Sequence, residues 1–352
     1  MKKLLSLLIC VVVLLLFCAC KPFDKTITSE DEIFALDTVI SFKAYGDTSA
    51  EAIKDSTAQI NRLEELLSVS KENSDIFRIN NSLGQVVTVS SETADIIRTA
   101  LLISEKTDGA FDISMYALTK LWGFDTKNYR VPSDEEITKA LYKTGYKNIT
   151  ITDDNKVNVA NGVELDLGGI AKGYIADAVK RNFDSDGISG AILNFGGMVL
   201  CSGKNAASDD GFYTIGVEHP ESGGYFATFR CQNDCVVTSG AYQRYFEKDG
   251  VSYHHIIDPA TGRPSDSDIA SVTVIADNAC EADAMSTAFF VMGVSDTLEY
   301  IRNNTMLNGG AFSVIILDKN NNLYLTKDVY DREFTLQSDF DGKIKIEIIE
   351  AK

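Results

Sequence analysis

The sequence predicts an α+β fold, with mixed sheets and interspersed helices folded as one compact unit. Three observations lead there. In 352 residues, hydrophobic types make up 45% and charged types 24%, the balance of a globular protein with ample core-forming material. Apolar residues recur at helical spacing in some segments and alternate in others, without a regular strand–helix–strand succession. No internal repeat underlies that pattern.

The chain starts with Lys2 and Lys3, runs through apolar residues from Leu4 to Ala19, and reaches Cys20 just before the polar Lys21-Pro22-Phe23-Asp24. A short basic stretch followed by an apolar run too short for a bilayer span reads as an export signal. With Ala19 ahead of Cys20 it resembles a bacterial lipoprotein signal, so Cys20 is expected to become a lipid-modified N-terminus; an uncleaved anchor is the alternative. Either arrangement puts the protein at the cell membrane, on its extracytoplasmic face. The expected division is a signal over 1–19, a polar tether over 20–33 and one catalytic domain over 34–352.

Within that domain, 34–45 alternates as a strand, and Ala52, Ile53, Ile60, Leu63 and Leu67 place a helix over 49–67. A second helix fits 91–106, closed by Asp108-Gly109, and a third fits 134–144 behind Pro132-Ser133-Asp134. Residues 150–159 read as a hairpin turning at Asp153-Asp154-Asn155. A helix from about 169 carries Ala171, Ile175, Ala178 and Val179. Strands are expected at 190–193, 213–218, 225–230, 236–239 and 270–276, helices at 281–292 and 295–303, and strands again at 311–317, 323–326 and 343–349.

With 33 Lys and Arg against 51 Asp and Glu, the net charge is −18. Such an excess repels phosphate backbones and anionic lipid heads, which argues against nucleic-acid and polybasic membrane-surface binding. A phosphate-bearing small ligand would need local devices: a metal, a single Lys or backbone N–H groups. After Cys20, the cysteines are Cys201, Cys231, Cys235 and Cys280. Cys231 and Cys235 lack a second Cys/His pair at zinc spacing, which leaves a disulfide or two buried thiols.

Four segments stand apart from plain scaffolding. In Glu164-Leu-Asp-Leu-Gly-Gly-Ile-Ala-Lys-Gly173, Asp166 precedes paired glycines and a helix start, which suits either an anion at the helix N-terminus or mere close packing. Leu193-Asn-Phe-Gly-Gly-Met198 ends a strand in a second glycine pair, and a tight turn is its plainest reading. Thr238-Ser-Gly-Ala-Tyr-Gln-Arg-Tyr245 leads to Tyr253-His-His-Ile-Ile-Asp-Pro-Ala-Thr-Gly-Arg-Pro264; His254 and His255 point to opposite faces of a strand, so at most one enters a given site. In Cys280-Glu-Ala-Asp-Ala-Met-Ser-Thr-Ala-Phe-Phe290, Asp283 and Thr287 share a helix face, as either a cap and solvated pair or a hard-oxygen pair for Mg²⁺.

Together with Leu-Asp-Thr-Val near the start and Gly-Ala-Phe-Asp-Ile-Ser followed by Leu-Trp-Gly-Phe124, these segments resemble the FAD:protein FMN transferase (ApbE) family over about 34–330. The resemblance implies an ApbE-like, T-fold-like domain that cleaves FAD in the presence of Mg²⁺. FMN would pass as a phosphoester to a Thr of an exported or membrane redox protein, with AMP released. It further implies metal ligation by Asp283, Thr287 and the Gly169 carbonyl, with a contribution from Ser286, and flavin-nucleotide contacts from Ala110, Phe111, Asp112, Asp166, Lys172 and Ile257. His255 would assist the incoming hydroxyl, as a group with a pKa near neutrality can.

The chain has Leu36-Asp37-Thr38 where many relatives carry Met-Gly-Thr, which passes the expected Met contact to Leu36. Where many relatives place an aromatic it has only Ser70, which leaves room for water to attack FAD. The alternatives are therefore a Mg²⁺-dependent FAD pyrophosphatase and, from another class, a lipid-anchored flavin-binding protein.

Overall fold

The computed structural model describes residues 27–350 apart from Asn161, Thr305, Asn308 and Gly309. Cys20 and the signal over 1–19 lie outside the described residues. Among these, no helix is long and apolar enough to cross a membrane.

A ten-stranded sheet forms the centre. Its order is Thr28–Ala35, Thr38–Tyr45, Gly190–Phe195, Val199–Gly203, Cys235–Gly240, Ile269–Ala276, Gly310–Asp318, Asn322–Thr326 and Lys345–Ile349, with Met306–Leu307 paired to Gly310–Asp318. All these pairings are antiparallel except the last in that order. In chain order the helices are α1 (Ser49–Leu67), α2 (Asp75–Asn80), α3 (Ser91–Lys106), α4 (Tyr116–Trp122), α5 (Asp134–Leu141), α6 (Ala171–Ser185), α7 (Ala279–Asn303) and α8 (Lys327–Asp331). Helix α7 lies across Cys235–Gly240 and Ile269–Ala276, and α6 packs between α7 and α1.

Strand Ile269–Ala276 reads as almost unbroken apolar sequence because both its faces are covered. Val272, Val274 and Ala276 enter the main core with Phe289 and Phe290 of α7, whereas Ile275 enters a second core with Phe226 and Phe229. That second core fills the space between the large sheet and a three-stranded sheet of Tyr213–Glu218, Tyr225–Cys231 and Thr335–Leu336. Each fully buried aromatic of this kind contributes about 2 kcal/mol through burial. A third, smaller cluster gathers Trp122 and Phe124 with Ile137 and Ile257, and the Trp122 indole N–H donates to the Gly262 carbonyl at 2.9 Å.

Several elements differ from the sequence reading. The stretch 34–45 is a hairpin, with Leu36 and Asp37 both at positive φ (55° and 59°). Its first strand starts at Thr28, so 28–33, read as tether, belong to the sheet. Leu-Asp carries none of the Asn-Gly or Asp-Gly signal that marks a two-residue turn. Helices α2 and α4, strand Val199–Gly203 and the hairpin Tyr245–Lys248/Val251–His254 were not expected at all. The two helices expected at 281–292 and 295–303 are by contrast both present, separated by the non-helical Gly293 (φ 78°) and together making up α7.

The Cys231–Cys235 disulfide left open by the spacing is absent. All four described cysteines are buried thiols, with Cys231 beside Cys201 in the second core and Cys235 in the main core on the other side of the sheet.

Candidate active site

The site lies where the first turns of α6 and α7 meet. Glycines 168 and 169 make the turn that leads into α6, whose helical hydrogen bonding begins at Ala171. Gly169 is closely surrounded: a Cβ there would lie 3.2 Å from the Phe111 ring and 3.5 Å from Thr287 Oγ1. That spacing puts the Gly-Ala-Phe-Asp segment, the glycine turn and the third turn of α7 in one place.

Asp283 is the centre of the arrangement. It is only 4% exposed, and a buried carboxylate requires partners. Its Oδ2 accepts the Gly173 N–H at 3.0 Å, while Oδ1 faces Lys172 Nζ at 3.8 Å. Thr287, one turn on, is half-buried and has only a long 3.5 Å contact to the Asp283 carbonyl, so its hydroxyl oxygen is open to another partner. Ser286 is committed elsewhere: it donates to the Asp283 carbonyl at 2.9 Å and receives the Ser239 hydroxyl at 2.8 Å. The second bond ties α7 to the Thr-Ser-Gly segment of strand Cys235–Gly240.

His255 is half-buried beside the Phe124 ring. Its Nδ1 lies 3.1 Å from the Arg244 carbonyl, which can only accept, so the proton sits on Nδ1 and Nε2 keeps its lone pair. Burial, outweighing that hydrogen bond, pushes the imidazole down to about 4, and the nearby charges of Arg244 and Lys172 act in the same direction. The pKa near neutrality expected of this histidine is thus corrected: it is neutral over the whole physiological range. His254, the last residue of its strand, is buried and bonds through Nε2 to the Ser265 carbonyl.

The remaining sequence candidates are placed as follows. Asp166 accepts the Gly168 N–H at 2.9 Å and the Thr119 hydroxyl at 3.1 Å, bracing the glycine turn. The Asp112 carboxylate already receives the Ser114 and Tyr146 N–H groups, and burial raises its pKa. What the segment presents beside Gly169 is therefore the Phe111 ring, with Ala110 partly buried next to it. Ile257 is buried against Trp122 and Phe124. Leu36 packs partly on the main core, and its N–H donates to Glu64 at 3.2 Å; the neighbouring Thr38 presses on Gly196 of the second glycine pair.

Two contributors were missed. Arg244 holds the His255 ring through its carbonyl, a backbone role that no residue type announces. Asp177, on the second turn of α6, accepts the N–H groups of Ala279 and Cys280 at 2.9 Å each, and burial pushes its carboxyl up to about 6. Its partners lie about a hundred residues along the chain, so helical spacing alone gives no hint of it.

Fold and site together define an α+β protein in which a lysine, a glycine turn and a helix N-terminus surround one buried carboxylate. Residues 36–308 match the ApbE family, and the chain belongs to that family. It is 32% identical over 267 residues to the FAD:protein FMN transferase of Treponema pallidum (strain Nichols), covering 71% of this chain and 74% of that protein. It is 34% identical over 263 residues to the enzyme of the same name from Escherichia coli (strain K12), covering 72% and 74%. The crystal structure of the ApbE protein of Thermotoga maritima superposes with a TM-score of 0.76 at 35% identity, covering 90% of this chain and 98% of that one. The mixed α+β architecture is that of the ApbE crystal structures.

Proposed function

We propose that the protein is a FAD:protein FMN transferase that moves FMN from FAD onto a threonine of an acceptor protein and releases AMP. The observation that carries this reading is the Asp283 carboxylate, buried between the Gly173 N–H and Lys172, with Thr287 and Gly169 alongside. A pyrophosphate brought to a protein of net charge −18 needs local positive potential, which Lys172, the helix N-terminus and a bound cation would supply.

Mg²⁺ suits the donors here. Among the described residues no three His, Cys, Asp or Glu side chains cluster; the set that the family resemblance implies, one Asp283 carboxylate oxygen, the Thr287 hydroxyl and the Gly169 carbonyl, would hold it. Such a hard-oxygen set leaves coordination positions for water and phosphate. When bound, the ion would neutralise charge on the phosphates and on the departing AMP. Lys172 would turn its ammonium from Asp283 toward a phosphate oxygen. Phe111 and Ile257 would supply apolar contact to the flavin nucleotide, together with Leu36, Ala110, Asp112 and Asp166. His255 Nε2, neutral and unprotonated, would take the proton from the threonine hydroxyl as its oxygen bonds to the FMN phosphorus and the phosphorus–oxygen bond to AMP breaks. The acceptor loop, docked over the pyrophosphate, would give that hydroxyl a large effective concentration over water.

Hydrolysis to FMN and AMP is the second reading, favoured by one observation: Ser70 is exposed and offers no aromatic cover. A flavin carrier without chemistry would have no use for the Asp283–Thr287 pair. Cys20 is read as the diacylglycerol-modified N-terminus, whose two chains suffice for stable attachment to the membrane. Incubation with FAD, Mg²⁺ and an exported flavin-acceptor domain, read by intact mass and AMP release, separates the three readings.

A further inference from the structure

Helices α6 and α7 each set a carboxylate against N–H groups of the other's first turn. Asp283 of α7 accepts the N–H of Gly173, the third residue of α6. In return, Asp177 of α6 accepts the N–H groups of Ala279 and Cys280, the first two residues of α7. Helix starts leave such N–H groups without intrahelical partners, and their partial positive charge favours a carboxylate. Ile170, at the start of α6, makes no side-chain cap of its own. Asn278 caps α7 at Glu281 and leaves the two earlier N–H groups to Asp177. Between the two carboxylates, a Cβ on Gly173 would come within 2.1 Å of the Ala279 carbonyl oxygen, so the helix starts are in direct backbone contact.

We propose that Asp177 is a positioning residue for the Asp283 site. By gripping both N–H groups of Ala279 and Cys280, it fixes how α7 is set against α6. That setting lets Asp283 keep Oδ2 on Gly173 while Oδ1 faces Lys172, with Thr287 one turn further along α7. Asp177 touches neither substrate nor ion. Without its grip, the first turn of α7 can shift or rotate against α6, and the donor set loses its geometry before the fold is lost. The inference rests on Asp283 and Thr287 being the metal end of the site.

The test compares the unmodified protein with Asp177→Asn and Asp177→Ala. Three quantities are measured: the Mg²⁺ concentration for half-maximal AMP release, kcat at saturating Mg²⁺, and Mg²⁺ affinity by calorimetry without turnover. Asparagine keeps the shape and one acceptor oxygen but sets an NH₂ group against a helix N–H, so it tests the grip in a protein that still folds. Residues that orient metal ligands from behind typically cost about 10- to 100-fold in metal affinity when replaced. Asp177→Asn is expected to raise both Mg²⁺ values about tenfold, with kcat at saturating Mg²⁺ within about threefold of normal and flavin-fluorescence binding of FAD without metal unchanged. Asp177→Ala is expected to shift them further. Asp184→Asn, an exposed change on the same helix, should alter nothing. Unchanged Mg²⁺ values in a folded Asp177→Asn protein, or a fall in kcat alone, would overturn the proposal. Absence of any Mg²⁺ response in the unmodified protein would instead strike the metal reading itself, and this inference with it.

Discussion

Gly173 and Ala279 meet so closely that a Cβ on the glycine would lie 2.1 Å from the alanine carbonyl oxygen. Two helices that carry Lys172 and Asp283 are thereby held at backbone distance, closer than any side chain would permit. Gly173→Ala is expected to force the helices apart and cost about 3 kcal/mol of stability, the upper range for overpacking. Chemical denaturation checks the loss. AMP release should fall further than the unfolded fraction explains, because the separation moves Asp283 off the Gly173 N–H.

Replacing Asp283 by Ala removes the carboxylate that Gly173 and Lys172 share. FAD turnover is expected to drop about 100-fold or more, as the loss of the proposed metal-holding carboxylate beside the phosphates would cause. The check is AMP release across a Mg²⁺ titration; normal activity at low Mg²⁺ would place the metal elsewhere.

The His255 imidazole, pushed down to about 4 by burial, gives a pH prediction with a definite sign. Between pH 6.5 and 4 the unfolded chain binds a proton that the folded protein refuses, so stability is full above 6.5 and is lost as pH falls through that window. The loss is on the order of 3 kcal/mol, at about 1.4 kcal/mol per pKa unit. His254 is shifted in the same direction by its own burial and adds to the slope. His255→Gln should flatten the slope in part, which denaturation at a series of pH values would show. The same substitution should slow FMN transfer, and the acid limb of the transfer rate in the unmodified protein should lie well below pH 6.5.

Cys20→Ser is expected to leave the exported protein unprocessed or released from the membrane, as seen by fractionation and by the mass of the N-terminus. A serine variant still processed and membrane-held would contradict lipid attachment at that residue.

Much of this was legible in the chain itself. The periods in 49–67 and 91–106 gave α1 and α3 end to end, because each helix buries one stripe and leaves the other wet. Asp283, Thr287, Gly169 and Lys172 stood in two motifs that the fold does bring together. The hairpin over 28–45 was illegible because Leu36 and Asp37 adopt left-handed conformations that neither residue type announces. The His255 environment was misjudged because its Arg244 partner acts through a backbone carbonyl, and part of its cover, the Phe124 ring, comes from far away in sequence. Asp177 escaped for the same reason: a carboxylate on an amphipathic helix looks solvated until the partner helix is in place.

Transfer to protein in preference to water is tested by intact mass spectrometry of a threonine-containing flavin-acceptor domain. With FAD, Mg²⁺ and the enzyme, the domain should gain the mass of one FMN phosphoester while AMP appears in equal amount, and an acceptor with that threonine changed to alanine should gain nothing. Free FMN and AMP formed at the same rate without acceptor, with no mass gain on the domain, would contradict the account.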